Sequence, residues 1–329
     1  MKKEIIKKAA DKTILSIQKI DFAQLDISEY NKDYINRLLP HIDYYFNIYS
    51  NIIASFLPKE ADSGYFVDFG GGHGFLSLLL KQLGMNVIYC DLNPLSAKTI
   101  SLIKKEIGYG PDIILEGSSP ELLSFCKTNN LIPQYLISTD LIEHVYDLNS
   151  LFSDFHELNP NISMVFTTGS VKSNLLKTIK LRRIMIKEET EIYFPQRKQF
   201  LLKNYPDIPL LDIEKLAKLT RGLIFPDITQ YVNSYLKTKI LPSIDIDKYN
   251  TCDPSTGNWS ERILSKKQYR KIVTRNHFQV TFKNGFYNAR RSSIVSSVIT
   301  KISNYFIRHF GLLGSKFTPF IILTVKKEI

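Results

Sequence analysis

Between Tyr65 and Gly169 five short apolar runs alternate with four helix-like runs, and few architectures accept that rhythm. The runs YFVDF, NVIYCD, DIILEG, YLISTD and SMVFTTG have strand length and are bounded by turn formers. FLSLLLKQLG, PLSAKTISLIKKEIG, SPELLSFCKTN and LNSLFSDFHELN read as the helices between them. Gly84 and Gly108 stop the first two, and Ser118 or Ser119 caps the third. Strands that are apolar on both sides need cover on both faces. The pattern therefore predicts a parallel sheet held between two layers of helix.

The first strand runs into a glycine cluster, Asp68-Phe69-Gly70-Gly71-Gly72-His73-Gly74. Only 15 of 329 residues are glycine, so four within five positions mark a backbone that turns sharply or approaches something closely. A strand, a glycine turn and a helix together set a helix N-terminus against a nucleotide. No register fits the G-x-G-x-x-G of nicotinamide-binding folds, and no Gly-Lys-Ser/Thr follows as in a P-loop. The run that fits is D-x-G-x-G-x-G over Asp68, Gly70, Gly72 and Gly74. Asp91 closes the second strand 23 residues after Asp68, where a carboxylate can accept bonds from two neighbouring sugar hydroxyls.

With LEGSSP after the third strand and STDLIEHVYD after the fourth, these runs resemble class I S-adenosylmethionine-dependent methyltransferases. The similarity points to the small-molecule branch that includes the ubiquinone-biosynthesis O-methyltransferases. It covers about residues 45–169 and resumes over roughly 263–284 and 318–327. The resemblance implies an α/β fold: a Rossmann-like seven-stranded sheet with helices on both faces, plus an N-terminal helical segment and a helical insertion after strand 5. It implies S-adenosyl-L-methionine as cofactor. Asp68, Phe69, Gly70, Gly71, Gly72 and Gly74 would lie under its methionine part, Asp91 at its ribose, Gly117 and Ser118 beside its adenine, and Asp140 near the sulfonium, with Leu92 also in the cofactor site. His73 would line the same site.

Methyl transfer from a sulfonium needs alignment and exclusion of water, and a base only when the acceptor is poorly ionised. His144 is the candidate base, with capping or packing as its bland alternative. Asp140, Glu143 and His144 also resemble the E-x-x-E-H metal site of some members, including RNA 2′-O-methyltransferases. A divalent metal with His277 as a further ligand is thus an open alternative, its ligands unassigned.

Four regions are expected: a helical cap at 1–60, the cofactor-binding core at 61–169, a basic helical insertion at 170–262, and the rest of the core at 263–329. The last carries an inserted amphipathic helix at 289–310, with Ile294, Val298, Ile302 and Phe306 along one face among Arg290, Arg291, Lys301 and Arg308. Packing on the core and lying on an anionic membrane are its two readings. The loop CDPSTGNWSERIL would display Asn258 and Trp259 near the C-terminal edge of the sheet, either as a substrate lid or as an anchor for the insertion.

Charge divides the chain. Residues 1–169 hold 14 Lys and Arg against 20 Asp and Glu, and the remainder 29 against 12. That asymmetry suggests an anionic partner: a phosphate-bearing or lipid- or glycan-linked small acceptor, nucleic acid, or a membrane surface. The three cysteines are far apart, which excludes a disulfide scaffold and fits a reducing cytoplasm. Neither a membrane-spanning apolar run nor a secretory leader is read at the start. The expected activity is methylation of a small molecule, most readily at oxygen. An RNA methyltransferase and a non-catalytic cofactor-binding partner protein are the alternatives.

Overall fold

The computed structural model describes residues 3–56, 64–241, 243, 248–289 and 294–328. Three helices come first: α1 (Lys3–Ile17), α2 (Glu29–Leu38) and α3 (Ile42–Phe56). Pro40 sits in a 3-10 turn that bends α2 into α3, as its missing N–H and fixed φ favour. The alternating region follows as β1 (Tyr65–Phe69), α4 (Phe75–Gln82), β2 (Asn86–Asp91), α5 (Pro94–Ile107), β3 (Ile113–Glu116), α6 (Ser119–Thr128), β4 (Pro133–Thr139), α7 (Leu148–Leu158) and β5 (Ser163–Thr168). The insertion contributes α8 (Leu175–Glu188), α9 (Phe194–Asn204), α10 (Leu210–Leu219) and α11 (Phe225–Thr238). The chain returns through α12 (Lys266–Arg275) and β6 (Phe278–Asn284). It leaves again for α13 (Ile294–His309) and α14 (Gly311–Ser315), and closes with β7 (Ile321–Lys327).

The seven strands lie in the order β3-β2-β1-β4-β5-β7-β6. The first five are parallel and β7 runs antiparallel between β5 and β6. This is the expected Rossmann-like fold, and its order reverses between β1 and β4. In open α/β sheets ligands bind at such a switch point, beyond the C-terminal ends of the strands. Strand alternation sorts the core into two layers. Phe66, Val87, Tyr89 and Ile137 face α1, α3, α4 and α5, while Val67, Ile88, Leu136 and Phe166 face α6, α7 and α12.

Helix starts follow the sequence closely. Asn93 caps α5 ahead of Pro94, Ser118 and Glu121 form a capping box on α6, and Asp147 caps α7. The insertion has its own apolar cluster, from Leu201 through Ile213 and Leu216 to Ile228 and Val232. Helix α9 is hidden in sequence because Pro195 reads as a break; the proline occupies the first turn, where no N–H is needed. The expected helix at 289–310 is described from Ile294, and Arg290 and Arg291 lie outside the described residues.

Candidate functional site

The switch point is occupied by the glycine turn. Gly70, Gly72 and Gly74 have φ of 68°, 52° and 76°, a left-handed backbone that side chains disfavour. Neighbouring strands hold the turn down. The Gly70 N–H donates to the Cys90 carbonyl at 2.7 Å, and the Gly72 N–H to Asp91 Oδ2 at 2.8 Å. The Tyr89 hydroxyl donates to the Gly72 carbonyl at 2.7 Å. A Cβ on Gly71 would stand 2.5 Å from the Tyr89 ring, so that ring fills the space below the turn. Above Gly72 a Cβ would meet nothing nearer than Tyr34, at 4.0 Å. The turn is thus packed beneath and open on top.

Asp68 lies under this cradle, buried, with Oδ2 accepting from the Ser77 N–H (3.0 Å) and hydroxyl (2.7 Å). It ties β1 to the first turn of α4. Burial pushes its carboxyl up to about 7 against the pull of the Ser77 bonds. Asp91 is half-buried at the rim; Oδ2 takes the Gly72 N–H and Oδ1 the Asn93 N–H at 2.8 Å. Each oxygen keeps capacity for another donor. Leu92, beside it, is 73% exposed, an apolar flank open to a planar group. Gly117 is buried and donates to the Asp91 carbonyl at 2.9 Å, and the Ser118 hydroxyl is engaged by Glu121. Phe69 packs edge-on to Phe155, in the core below the site. An open glycine cradle, a carboxylate with spare acceptor sites and a bare leucine fit an adenosyl-sulfonium.

Next to the turn is a cavity of about 360 Å³. Tyr34 of α2 and Tyr44, Tyr45 and Tyr49 of α3 form one wall, with Asp140, Glu143, His144, Lys177 and Glu261 among the residues opposite. Burial raises the phenols of Tyr34 (to about 12), Tyr45 and Tyr49, so they enter the cavity as neutral donors. Asp140 ends β4 with φ 52° and donates its N–H to the Thr167 carbonyl at 3.0 Å. Its surface opens to the cavity, yet the protein around it raises its carboxyl, and Lys177 works against the rise. Glu143 is buried; Oε1 accepts from the Gly169 N–H at 3.2 Å, while Oε2 completes no hydrogen bond. Desolvation, then the Asp140 charge, lifts it well above the carboxylate range, although the nearby Thr168 hydroxyl favours the anion slightly.

The two histidines of the cavity are in opposite tautomers. His73 Nδ1 accepts from the Phe75 N–H at 3.1 Å, which puts the proton on Nε2, and burial lowers its pKa to about 3. His144 Nδ1 faces the Trp259 carbonyl at 2.8 Å; a carbonyl only accepts, so Nδ1 carries a proton, and in the neutral ring Nε2 is the acceptor. One imidazole is a donor, the other an acceptor.

Trp259 and Asn258 are not among the residues lining this cavity. Trp259 is buried, stacks on Tyr146 at 5.9 Å, lies under the Arg262 guanidinium and donates Nε1–H to the Tyr146 carbonyl at 3.4 Å. It anchors the 251–262 loop to the segment after β4 and so holds the carbonyl that orients His144. Asn258 is exposed at the turn. His277 cannot join Asp140 and His144. It precedes Phe278, which pairs with Lys327 at the sheet edge where β5 begins, opposite the cavity. No group of three or more His, Cys, Asp or Glu able to hold a metal exists among the described residues.

Sequence reading did not foresee the tyrosine wall, Lys177 or Glu261. A signal for the first was present: five of 18 tyrosines fall between residues 30 and 49. Helical spacing explains their apolar bodies but not five hydroxyls.

A family model described as a methyltransferase domain matches residues 41–213, more than half of the chain. Comparison with curated sequences returns no match. Solved structures similar in fold include a provisionally assigned sarcosine dimethylglycine methyltransferase from Galdieria sulphuraria, with 12% identity, 98% of each chain covered and a TM-score of 0.42. Another is phosphoethanolamine N-methyltransferase 2 of Haemonchus contortus, with 11% identity and a TM-score of 0.44, covering 86% of this chain and 53% of that one. A third is geranyl diphosphate C-methyltransferase from Streptomyces coelicolor A3(2), with 12% identity, 94% and 89% covered and a TM-score of 0.42. Likenesses this distant leave the acceptor open. The family match itself spans the glycine turn, the Asp91 strand end and most of the residues that line the cavity beside them, and with it the chain belongs to the S-adenosyl-L-methionine-dependent methyltransferases of the methyltransferase domain family.

Proposed function

We propose that this methyltransferase acts on the hydroxyl of a small molecule held in the cavity between the tyrosine wall and the ends of β4 and β5. The carrying observation is the His144 ring, fixed by the Trp259 carbonyl with Nε2 left as acceptor on a residue that lines the cavity. A volume of about 360 Å³ suits a small acceptor better than a polymer.

S-adenosyl-L-methionine, when bound, supplies an electrophilic methyl on a sulfonium. Asp91 is assigned to its ribose hydroxyls, Leu92, Gly117 and Ser118 to its adenine, and the Gly70–Gly72 backbone to its methionine portion. Asp68 acts at one remove, by fixing the turn to α4. His144 Nε2 would take the proton of the acceptor hydroxyl as its oxygen gains the methyl group. The neutral tyrosines and the His73 Nε2–H orient the acceptor and keep water out. Asp140 and Glu261 against Lys177, with Glu143 held toward its neutral form, do not favour an anionic acceptor in this cavity. That same count supports a second reading, an amine acceptor, for which His144 would again remove the proton.

The purified chain should be offered labelled cofactor with parallel sets of hydroxyl and amine acceptors. The proposal expects product from a hydroxyl acceptor. It also expects His144→Ala to lower kcat by about 100-fold or more with binding of S-adenosylhomocysteine unchanged. Turnover of amines alone, or full turnover by His144→Ala, would sink it.

A further inference from the structure

Helix α13 is turned the opposite way from a core helix. Its apolar face points outward: Ile294 is 85% exposed and Ile302 64%, with Val295, Val298 and Ile299 exposed beside them. The inward side is sparse, Thr300 and Ile307 being its buried residues. Polar bonds hold it there. Asn304 exchanges two hydrogen bonds with the Tyr287 backbone, and Asn284 donates to the Ile307 carbonyl. The surface continues past the helix, where Phe306 stacks on Phe310 at 4.4 Å and Leu312 (87% exposed), Leu313 and Phe317 stand in the open.

Two charge observations bear on what could cover it. From Arg262 to Lys327 the chain has 14 Lys and Arg and no Asp or Glu. Beside the apolar face runs a groove of about 850 Å³ lined by Lys3, Lys283, Lys301, Arg308 and His309, with no carboxylate among its described residues. A second copy meeting this face would bring cation against cation. An anionic lipid surface answers both features, with acyl chains for the leucines and isoleucines and phosphates for the groove.

We propose that α13 and α14 dock this enzyme on the surface of an anionic phospholipid bilayer. The helix lies in the interface with Ile294, Val298 and Ile302 in the acyl boundary, and the groove cations hold lipid phosphates. No helix among the described residues is long and apolar enough to cross a membrane, so the contact is one of surface. It stands apart from the acceptor reading and survives if that fails.

Flotation of the full chain with vesicles of phosphatidylcholine, alone or mixed with phosphatidylglycerol, tests it. The chain should float with the mixed vesicles, stay behind with phosphatidylcholine alone, and release as salt rises past the screening range. Ile302→Glu should weaken binding about tenfold or more. Leu312→Ser, at a side chain too exposed to hold the fold, should weaken it without changing the melting temperature. Lys301→Glu with Arg308→Glu should abolish the preference for phosphatidylglycerol. Failure of the wild type to float at low salt overturns the proposal. So does equal flotation of Ile302→Glu and Leu312→Ser with wild type, or a dimer in sedimentation velocity that Ile302→Glu dissociates.

Discussion

Gly71 has no room for a side chain on the side where the Tyr89 ring lies, and that ring cannot retreat because its hydroxyl is bonded to the Gly72 carbonyl. Gly71→Ala should therefore cost about 1–3 kcal/mol, read as a lower urea midpoint, with Tyr89→Phe restoring part of it by freeing the ring. Asp68 gives the same turn a pH dependence. Burial raises its folded pKa to about 7 from an ordinary 3.8, so between about 4 and 7 the folded chain holds a proton that the unfolded chain has released. Its contribution is complete below about pH 4 and is lost as pH rises through about 7. The difference in stability between wild type and Asp68→Asn should fall across that window. His73 runs the other way, since a pKa lowered to about 3 makes stability rise with pH up to its ordinary 6.5. The wild-type profile alone will thus look flatter than either group acting by itself, and only the comparison of variants exposes the slope.

Among the elements, the insertion depends on one buried ion pair. Arg197 of α9, fully buried, donates to Glu189 in the π-turn joining α8 to α9 and to the Ala217 carbonyl of α10. Thr251 donates to the other oxygen of Glu189 at 2.6 Å, which joins the insertion to the loop that carries Trp259. Removing Arg197 leaves the buried Glu189 carboxyl with Thr251 and the more distant Arg221 as its only partners among the described residues. Arg197→Ala should cost about 3–5 kcal/mol in chemical denaturation, whereas the double change Arg197→Met with Glu189→Leu should recover most of it. The π-turn is where the sequence is least readable. KSNLLKTIKLRRIMIKEE ends in a charged run that spacing treats as solvated, yet Glu189 goes inside because Arg197, Thr251 and Arg221 converge on it.

At the scale of the molecule, the sheet separates two features: the glycine turn and the cavity beside it at the C-terminal ends of the parallel strands, and the apolar and basic face on the excursion between β6 and β7. Because the cradle exists only when β1, β2 and α4 are assembled, ligand should stabilise the whole fold. S-adenosylhomocysteine at 100 times its Kd should add about 2.7 kcal/mol, seen as a rise in melting temperature that Asp91→Ala abolishes. Strand and helix positions from Tyr65 to Gly169, the cap at Ser118 and the glycine turn were legible in the chain itself, because period, cap chemistry and positive φ are local properties. Three things were settled by packing alone. They are the side of the cavity that the tyrosines of α2 and α3 face, the burial of Trp259 behind His144, and the outward face of α13. Each depends on what arrives from elsewhere in the chain. An amphipathic spacing marks a face, but only the neighbours that cover it, or fail to, give that face a direction.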